Sequence, residues 1–269
     1  MMKIRPIGRL LKTDSEEFII SESSVEKIKS PWKEALEDIK NEIYLSEVSD
    51  IIHSIYVRGT VSRGEALEGI SDIDTFAVVT KPIDSFDRTW VKDKRIALEK
   101  KYPFCDGIEI RFIYKEDLIT KEDFYNDRFL IKTQSACIYG DDLSKEIQPF
   151  KADKETSNHF HQNLEELFNN AKKYILENKG EEDLKDTCRW IMKRILRIGF
   201  VLVMNKEKAF TRDLYPCYEI FSKYYPEKEE DMYKALDWAL NPTTDEEELI
   251  DFLNSFGVWI KEERDRIFS

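Results

Sequence analysis

Tyr56-Val-Arg-Gly-Thr60-Val-Ser-Arg63-Gly-Glu-Ala-Leu-Glu-Gly-Ile-Ser71-Asp72-Ile-Asp74-Thr-Phe-Ala-Val-Val79 opens as a short β-rich run and breaks at Gly59. It then passes through a polar loop and returns as an apolar, β-branched run from Ile73 to Thr80. The expected order is strand, loop, strand. A glycine at the first strand's end lets the backbone approach a bound group closely, and the Thr60 hydroxyl with the loop N–H groups makes a seat for phosphate oxygens. Asp72 and Asp74 are one residue apart on an extended backbone, so both carboxylates leave the same face. Two like charges held that close are unfavourable without a positive charge beside them, and a hard divalent cation with oxygen ligands is the usual solution. An Asp-x-Asp pair alone is more often a solvated turn or a helix cap. Gly59-Thr60 ahead of it turns the reading toward magnesium.

Outward from this segment, Gly107 to Tyr114 reads as a third strand with Ile108, Ile110 and Phe112 on one face. Glu109 and Arg111 then project from the other. Glu109 supplies a third carboxylate, with Asp106 as its rival and a surface pairing with Arg111 as the plainer role. Three carboxylates can hold two metal ions, one activating the attacking oxygen and the other steadying a triphosphate and its leaving pyrophosphate. Before the first strand, apolar residues from Ser24 to Leu45 recur at helical spacing, with Pro31 dividing the run. Trp90 to Tyr102 is a further helix. The opening, Ile4 to Leu11 and Glu17 to Ser21 around a polar turn, reads as a hairpin.

After Pro149 strand signals vanish and nearly everything from Lys154 to Phe268 has helical spacing. The expected division is a catalytic domain over 1–150, including the hairpin and first helix, and a helical domain over 151–269 that covers substrate and nucleotide. Asn241-Pro-Thr-Thr-Asp245 before three glutamates is a helix start, with acidic residues where the first-turn dipole favours them. The helix from Leu184 to Met204 carries Arg189, Lys193, Arg194 and Arg197 as a charged stripe, ordinarily a solvated face. Trp190, Trp238 and Trp259 lie on apolar faces as core.

Gly59-Thr60, the loop with Arg63-Gly64, and Ser71-Asp72-Ile73-Asp74 together resemble the signature of the DNA polymerase β superfamily of nucleotidyltransferases. The usual Gly-Ser is here Gly-Thr, which keeps the hydroxyl, and eleven residues separate Thr60 from Asp72. The match continues into the apolar strand beyond Asp74. Gly107-Ile-Glu-Ile-Arg111 is similar to the third-carboxylate strand of bacterial aminoglycoside 3″-adenylyltransferases, which also pair a catalytic domain with a helical one. The resemblance implies an α+β fold, a mixed sheet with helices followed by an all-α domain. It implies catalysis and metal binding by Asp72, Asp74 and Glu109, with Mg²⁺, two ions, and ATP or another nucleoside triphosphate. Gly59, Thr60 and Ser71 would line the phosphate seat. Arg63 reads equally as a loop cation or a phosphate contact. Arg197 and Arg212, the latter followed by Asp213 where the family has Lys-Asp, are similar in placement to residues used near nucleotide phosphates.

The formal net charge of −12 disfavours a long nucleic-acid footprint and suits a cationic acceptor better. No apolar run has the length of a signal peptide or a bilayer span, so the expected location is the cytoplasm, away from membranes. Cys105, Cys137, Cys188 and Cys217 are scattered without metal-ligand spacing and read as free thiols. Only His53, His159 and His161 are present, too few for a histidine-centred site. The expected reaction moves adenylyl from ATP to an oxygen of a small, aminoglycoside-like acceptor. The alternatives are a transferase acting on tRNA or protein, and a non-catalytic nucleotidyltransferase-like partner of a toxin pair.

Overall fold

In a computed structural model of the chain, residues 3–160, 162–177 and 180–268 are described. The chain divides into Ile20–Phe150 and a second unit made of Met1–Ile19 with Lys151–Ser269. The fold is α+β, a mixed sheet with helices and then a helical region.

In the first unit, helix α1 (Trp32–Ile39) begins directly after Pro31 and runs on as a π turn over Lys40–Tyr44. Proline has no N–H to lose at a helix start, so the division expected at Pro31 is where the helix begins. Strand β1 (Ile52–Arg58) leads into a one-turn helix α2 (Gly59–Arg63), where the sequence suggested only loop. Strand β2 (Ile73–Val79), helix α3 (Val91–Lys101) and strand β3 (Ile108–Tyr114) follow, close to their expected positions. Helices α4 (Lys115–Thr120) and α5 (Tyr125–Gln134) then lead to strand β4 (Ser135–Gly140).

The sheet order is β3-β2-β1-β4. β1 is antiparallel to both β2 and β4, while β2 and β3 are parallel. Strand alternation sorts side chains cleanly between two cores. Ile55, Val57, Ile73, Ala77 and Ile108 pack with Trp32, Leu36, Ile39, Ile43 and Leu98 on one face. Tyr56, Phe76, Val78 and Ile113 pack with Leu118, Ile131 and Leu143 on the other. Tyr56 and Phe76, cross-strand partners, stack with ring centroids 5.1 Å apart.

The helical unit contains α6 (Lys154–His159), α7 (Leu164–Glu177), α8 (Glu181–Glu207), α9 (Leu214–Tyr224), α10 (Glu229–Leu240), α11 (Glu246–Phe252) and α12 (Val258–Phe268). Asp245 caps α11 by accepting from the N–H of Glu248, as the run of acids after it suggested. Trp238 is buried, and Trp259 stacks on Phe256 at 5.8 Å. Trp190 is half-buried, edge-on to Tyr174.

The first nineteen residues, placed with the catalytic domain in the sequence reading, group with this helical unit instead. Leu11 bridges Phe210, the Thr211 hydroxyl donates to the carbonyl of Arg9, and the N–H of Arg9 donates to Asp213. The expected hairpin is present as a short one, closed by the antiparallel bridge of Thr13 with Ile19, and the Asp14 carboxylate at its turn accepts from the N–H groups of Glu16 and Phe18. Its apolar arm from Ile4 to Leu11 thus pairs across the chain with the 210–213 segment. Gly8 has φ +104, and a Cβ there would stand 2.4 Å from that of Asp213, so the close approach needs glycine. Among the described residues, no helix is long and apolar enough to cross a membrane.

Candidate active site

The register of the sheet brings the chemistry into one row. Ser135, Arg58, Asp74 and Glu109 are successive cross-strand partners from β4 through β1 and β2 to β3. Alternation puts Arg58, Asp74 and Glu109 on the face that carries Tyr56, Phe76 and Ile113 farther along the same strands. Asp74 and Glu109 are the second residues of β2 and β3, so both carboxylates stand at one end of two parallel strands. Asp72, two residues before Asp74, is exposed ahead of the strand.

Arg58 is the member of this row that the sequence reading missed. Its Nη2 lies 2.8 Å from Oε2 of Glu109 and 3.4 Å from Oδ1 of Asp74. The signal lay in strand parity: Tyr56 and Arg58 alternate onto one face, and an antiparallel return through the loop sets Arg58 opposite Asp74. The plainer role offered for Glu109, pairing with Arg111, is not what forms. Arg111 instead holds Asp127 through two bonds of 2.7 and 3.0 Å.

Burial pushes the Asp74 carboxyl up to about 7, and Asp72 and Glu109 add to the rise against the opposing pull of Arg58. Burial pushes Glu109 upward too, but a hydrogen bond from Asp74 and the Arg58 guanidinium outweigh it and hold Glu109 below the ordinary carboxylate range. Of the two carboxyls, Asp74 is therefore the one that holds its proton more firmly. Hard oxygen donors held side by side in the sheet register fit a divalent cation. Among the described residues no three His, Cys, Asp or Glu side chains already form a metal cluster. The pair Asp74 and Glu109 is assembled, with Arg58 as its counter-charge.

Gly59 follows Arg58 with φ +77, and a Cβ built on it would lie 3.6 Å from Oδ2 of Asp74. The approach to that oxygen is thus kept clear. The turn between the strands is pinned internally. Thr60 and Ser71 hydroxyls meet at 3.1 Å, and the Ser71 oxygen also accepts from the N–H of Leu67. Ser62 donates to the carbonyl of Gly59 at 2.9 Å and meets Ser23 at 2.8 Å. Arg63 is half-buried and pairs with Glu65 at 2.9 Å, so it is not an exposed loop cation. Asp106, the rival carboxylate, is exposed, and its N–H donates to the carbonyl of Ser71. Gln134, the last residue of α5 and the one before Ser135 in sequence, has a buried Nε2 with no hydrogen-bond partner among the described residues.

Arg197 and Arg212 meet in the helical unit, where Nε of Arg197 lies 3.4 Å from the Arg212 carbonyl. Both are half-buried, whereas Lys193 and Arg194 of the same stripe are exposed. His53 bonds Ser54 and Lys115, and burial followed by the Lys115 charge lowers its pKa. His159 ends α6, and His161 lies outside the described residues. All four cysteines are free.

No protein-family model matches the chain, and no curated protein matches it. Among solved structures it is similar to the spectinomycin adenyltransferase AAD(9) from Enterococcus faecialis, a structure with ATP and spectinomycin. That similarity spans 88% of this chain and 99% of the other, at 14% identity and a TM-score of 0.47.

Proposed function

We propose that the chain is a magnesium-dependent nucleotidyltransferase that moves a nucleoside monophosphate, adenylyl from ATP, onto an oxygen of a cationic small molecule and releases pyrophosphate. The observation that carries this reading is the contact between Asp74 and Glu109 at the ends of two parallel strands, beside the Gly59–Ser71 turn and behind Asp72. Two carboxyls held side by side, one of them mostly buried, are unfavourable unless a cation joins them.

Asp72, Asp74 and Glu109 would hold Mg²⁺, which when bound supplies positive charge to the phosphoryl oxygens and to the attacking oxygen. Glu109, at the outer end of the row, is within reach of solvent and is the candidate to accept the proton of an acceptor hydroxyl. Gly59 leaves room for a phosphate oxygen near Asp74, and the Thr60–Ser71 bond fixes the backbone that would face it. Arg63 orders the turn through Glu65. Arg197 and Arg212 are proposed as triphosphate contacts. The net charge of −12 favours an amine-bearing acceptor of the aminoglycoside type over a polynucleotide.

A second reading, a nucleotide-binding relative without catalysis, is favoured by one observation: Arg58 already contacts both carboxylates of the pair. Incubation with each labelled nucleoside triphosphate and a panel of aminoglycosides, tRNA and protein extract, with Mg²⁺ or with EDTA, separates the two. Label transferred only with Mg²⁺ supports the transferase. Nucleotide bound without transfer to any acceptor supports the second reading.

A further inference from the structure

We propose that Arg58 is a resident counter-ion that competes with free divalent cations for Asp74 and Glu109, so that metal enters the site together with a triphosphate and not ahead of it. This deepens the nucleotidyltransferase reading and rests on it. One guanidinium nitrogen, Nη2, faces both carboxylates, at 2.8 Å from Glu109 and 3.4 Å from Asp74. The Arg58 side chain is only 19% exposed, so its charge is poorly screened and acts on whatever those oxygens bind. A bare divalent cation joining the pair meets a fixed positive charge a few ångströms away, an unfavourable contact that the carboxylates alone must overcome.

A metal–triphosphate complex meets no such barrier. Its phosphate oxygens offer the guanidinium a bidentate partner of the kind arginine binds well, so Arg58 exchanges carboxylate for phosphate while the metal takes the carboxylates. The cation gained by Asp74 and Glu109 arrives with the anion that Arg58 takes up. The glycine after Arg58 leaves the side toward Asp74 Oδ2 clear, so the incoming group need not pass a side chain. Arg58 is a positioning residue for the carboxylates without ligand, and a selector for the form in which metal arrives.

Free Mn²⁺, read by the loss of its paramagnetic resonance signal, provides the probe. Parent, Arg58→Gln, Arg58→Lys and Asp74→Asn are titrated without nucleotide and again with a non-hydrolysable ATP analogue. Without nucleotide, Arg58→Gln is expected to bind Mn²⁺ about tenfold more tightly than the parent, and Arg58→Lys to stay near the parent because it keeps the charge. With the analogue, the parent gains affinity by more than Arg58→Gln does, because only the parent transfers its guanidinium to phosphate. A merely structural arginine would give equal or weaker Mn²⁺ binding on substitution, and that result overturns the proposal. Equal gains on adding the analogue overturn it as well. Should Arg58→Gln fail to fold, Arg58→Met takes its place, and the Arg58→Lys comparison still reads the charge. Mn²⁺ binding by the parent that Asp74→Asn leaves intact places the metal elsewhere and defeats the nucleotidyltransferase site itself. Binding that Asp74→Asn abolishes but Arg58 does not influence defeats only this inference.

Discussion

Asp74→Asn should stabilise the metal-free protein, and the gain should grow with pH. An Asp side chain ordinarily titrates near ~3.9 in an unfolded chain, whereas in the fold burial and its acidic neighbours raise Asp74 to about 7. Between those two values the folded state binds a proton that the unfolded state has released, so stability falls as pH rises across that interval. Above pH 7 the parent holds Asp74 and Glu109 both charged against one Arg58. The full displacement of Asp74 corresponds to roughly 4 kcal/mol at ~1.4 kcal/mol per pH unit, of which the part lying above pH 5 is about 2–3 kcal/mol. Asn keeps the geometry, and its amide can donate to Glu109 as the protonated acid does. At about 2–4 °C per kcal/mol for a chain of this size, the variant should gain on the order of 5 °C over the parent between pH 5 and pH 8.5. The assay is thermal unfolding in EDTA at both pH values, read as the change in the difference between the two proteins. A difference flat with pH, or one that turns against the variant at pH 8.5, refutes this account of Asp74.

The remaining expectations test other parts of the site and fold. Glu109→Gln should lower turnover with saturating Mg²⁺ by at least about 100-fold, as loss of a metal-binding and proton-accepting group would, while exposed Asp106→Asn stays within about threefold; labelled-product formation distinguishes them, and the reverse order moves the third carboxylate to Asp106. Arg197→Ala should weaken triphosphate binding by calorimetry without loss of helical signal, and unchanged affinity would return Arg197 to a role in packing against the 212 carbonyl. Gly8→Ala should cost about 1–2 kcal/mol, since φ is +104 and the new Cβ collides with Asp213. Chemical denaturation measures it, and a neutral result would mean that the N-terminal arm contributes little to the helical unit.

The parts of this protein legible in its sequence are those fixed by local periodicity. β1, β2 and β3 are short runs of β-branched and aromatic residues whose alternation names their faces, and the long apolar period of α8 admits only a helix. Glu109 could be placed opposite Ile108 and Ile110 because alternation within one strand needs no knowledge of its neighbours. What escaped depends on partners far along the chain. β4 follows directly on α5 with no turn residue between Gln134 and Ser135, and it is a strand because β1 is there to pair with. Leu11 belongs with Phe210 across nearly two hundred residues, a pairing that the pattern from Ile4 to Leu11 cannot distinguish from a hairpin arm.

Arg58 shows the same limit at the site, and why it matters for function. As a residue type it ends a strand and reads as a surface cation. Only the antiparallel register with β2 sets it opposite Asp74, and only the parallel register of β2 with β3 brings Glu109 into line on the far side. A list of carboxylates therefore suggests an anionic site held ready for metal, while the sheet describes one with a resident cation: Arg58 reaches both Asp74 and Glu109 and offsets part of their charge. The two descriptions differ in what the site binds first. A bare anionic cluster would collect free divalent ions, whereas carboxylates already contacted by an arginine favour a ligand that brings cation and anion together, which is what a metal-bound nucleoside triphosphate does.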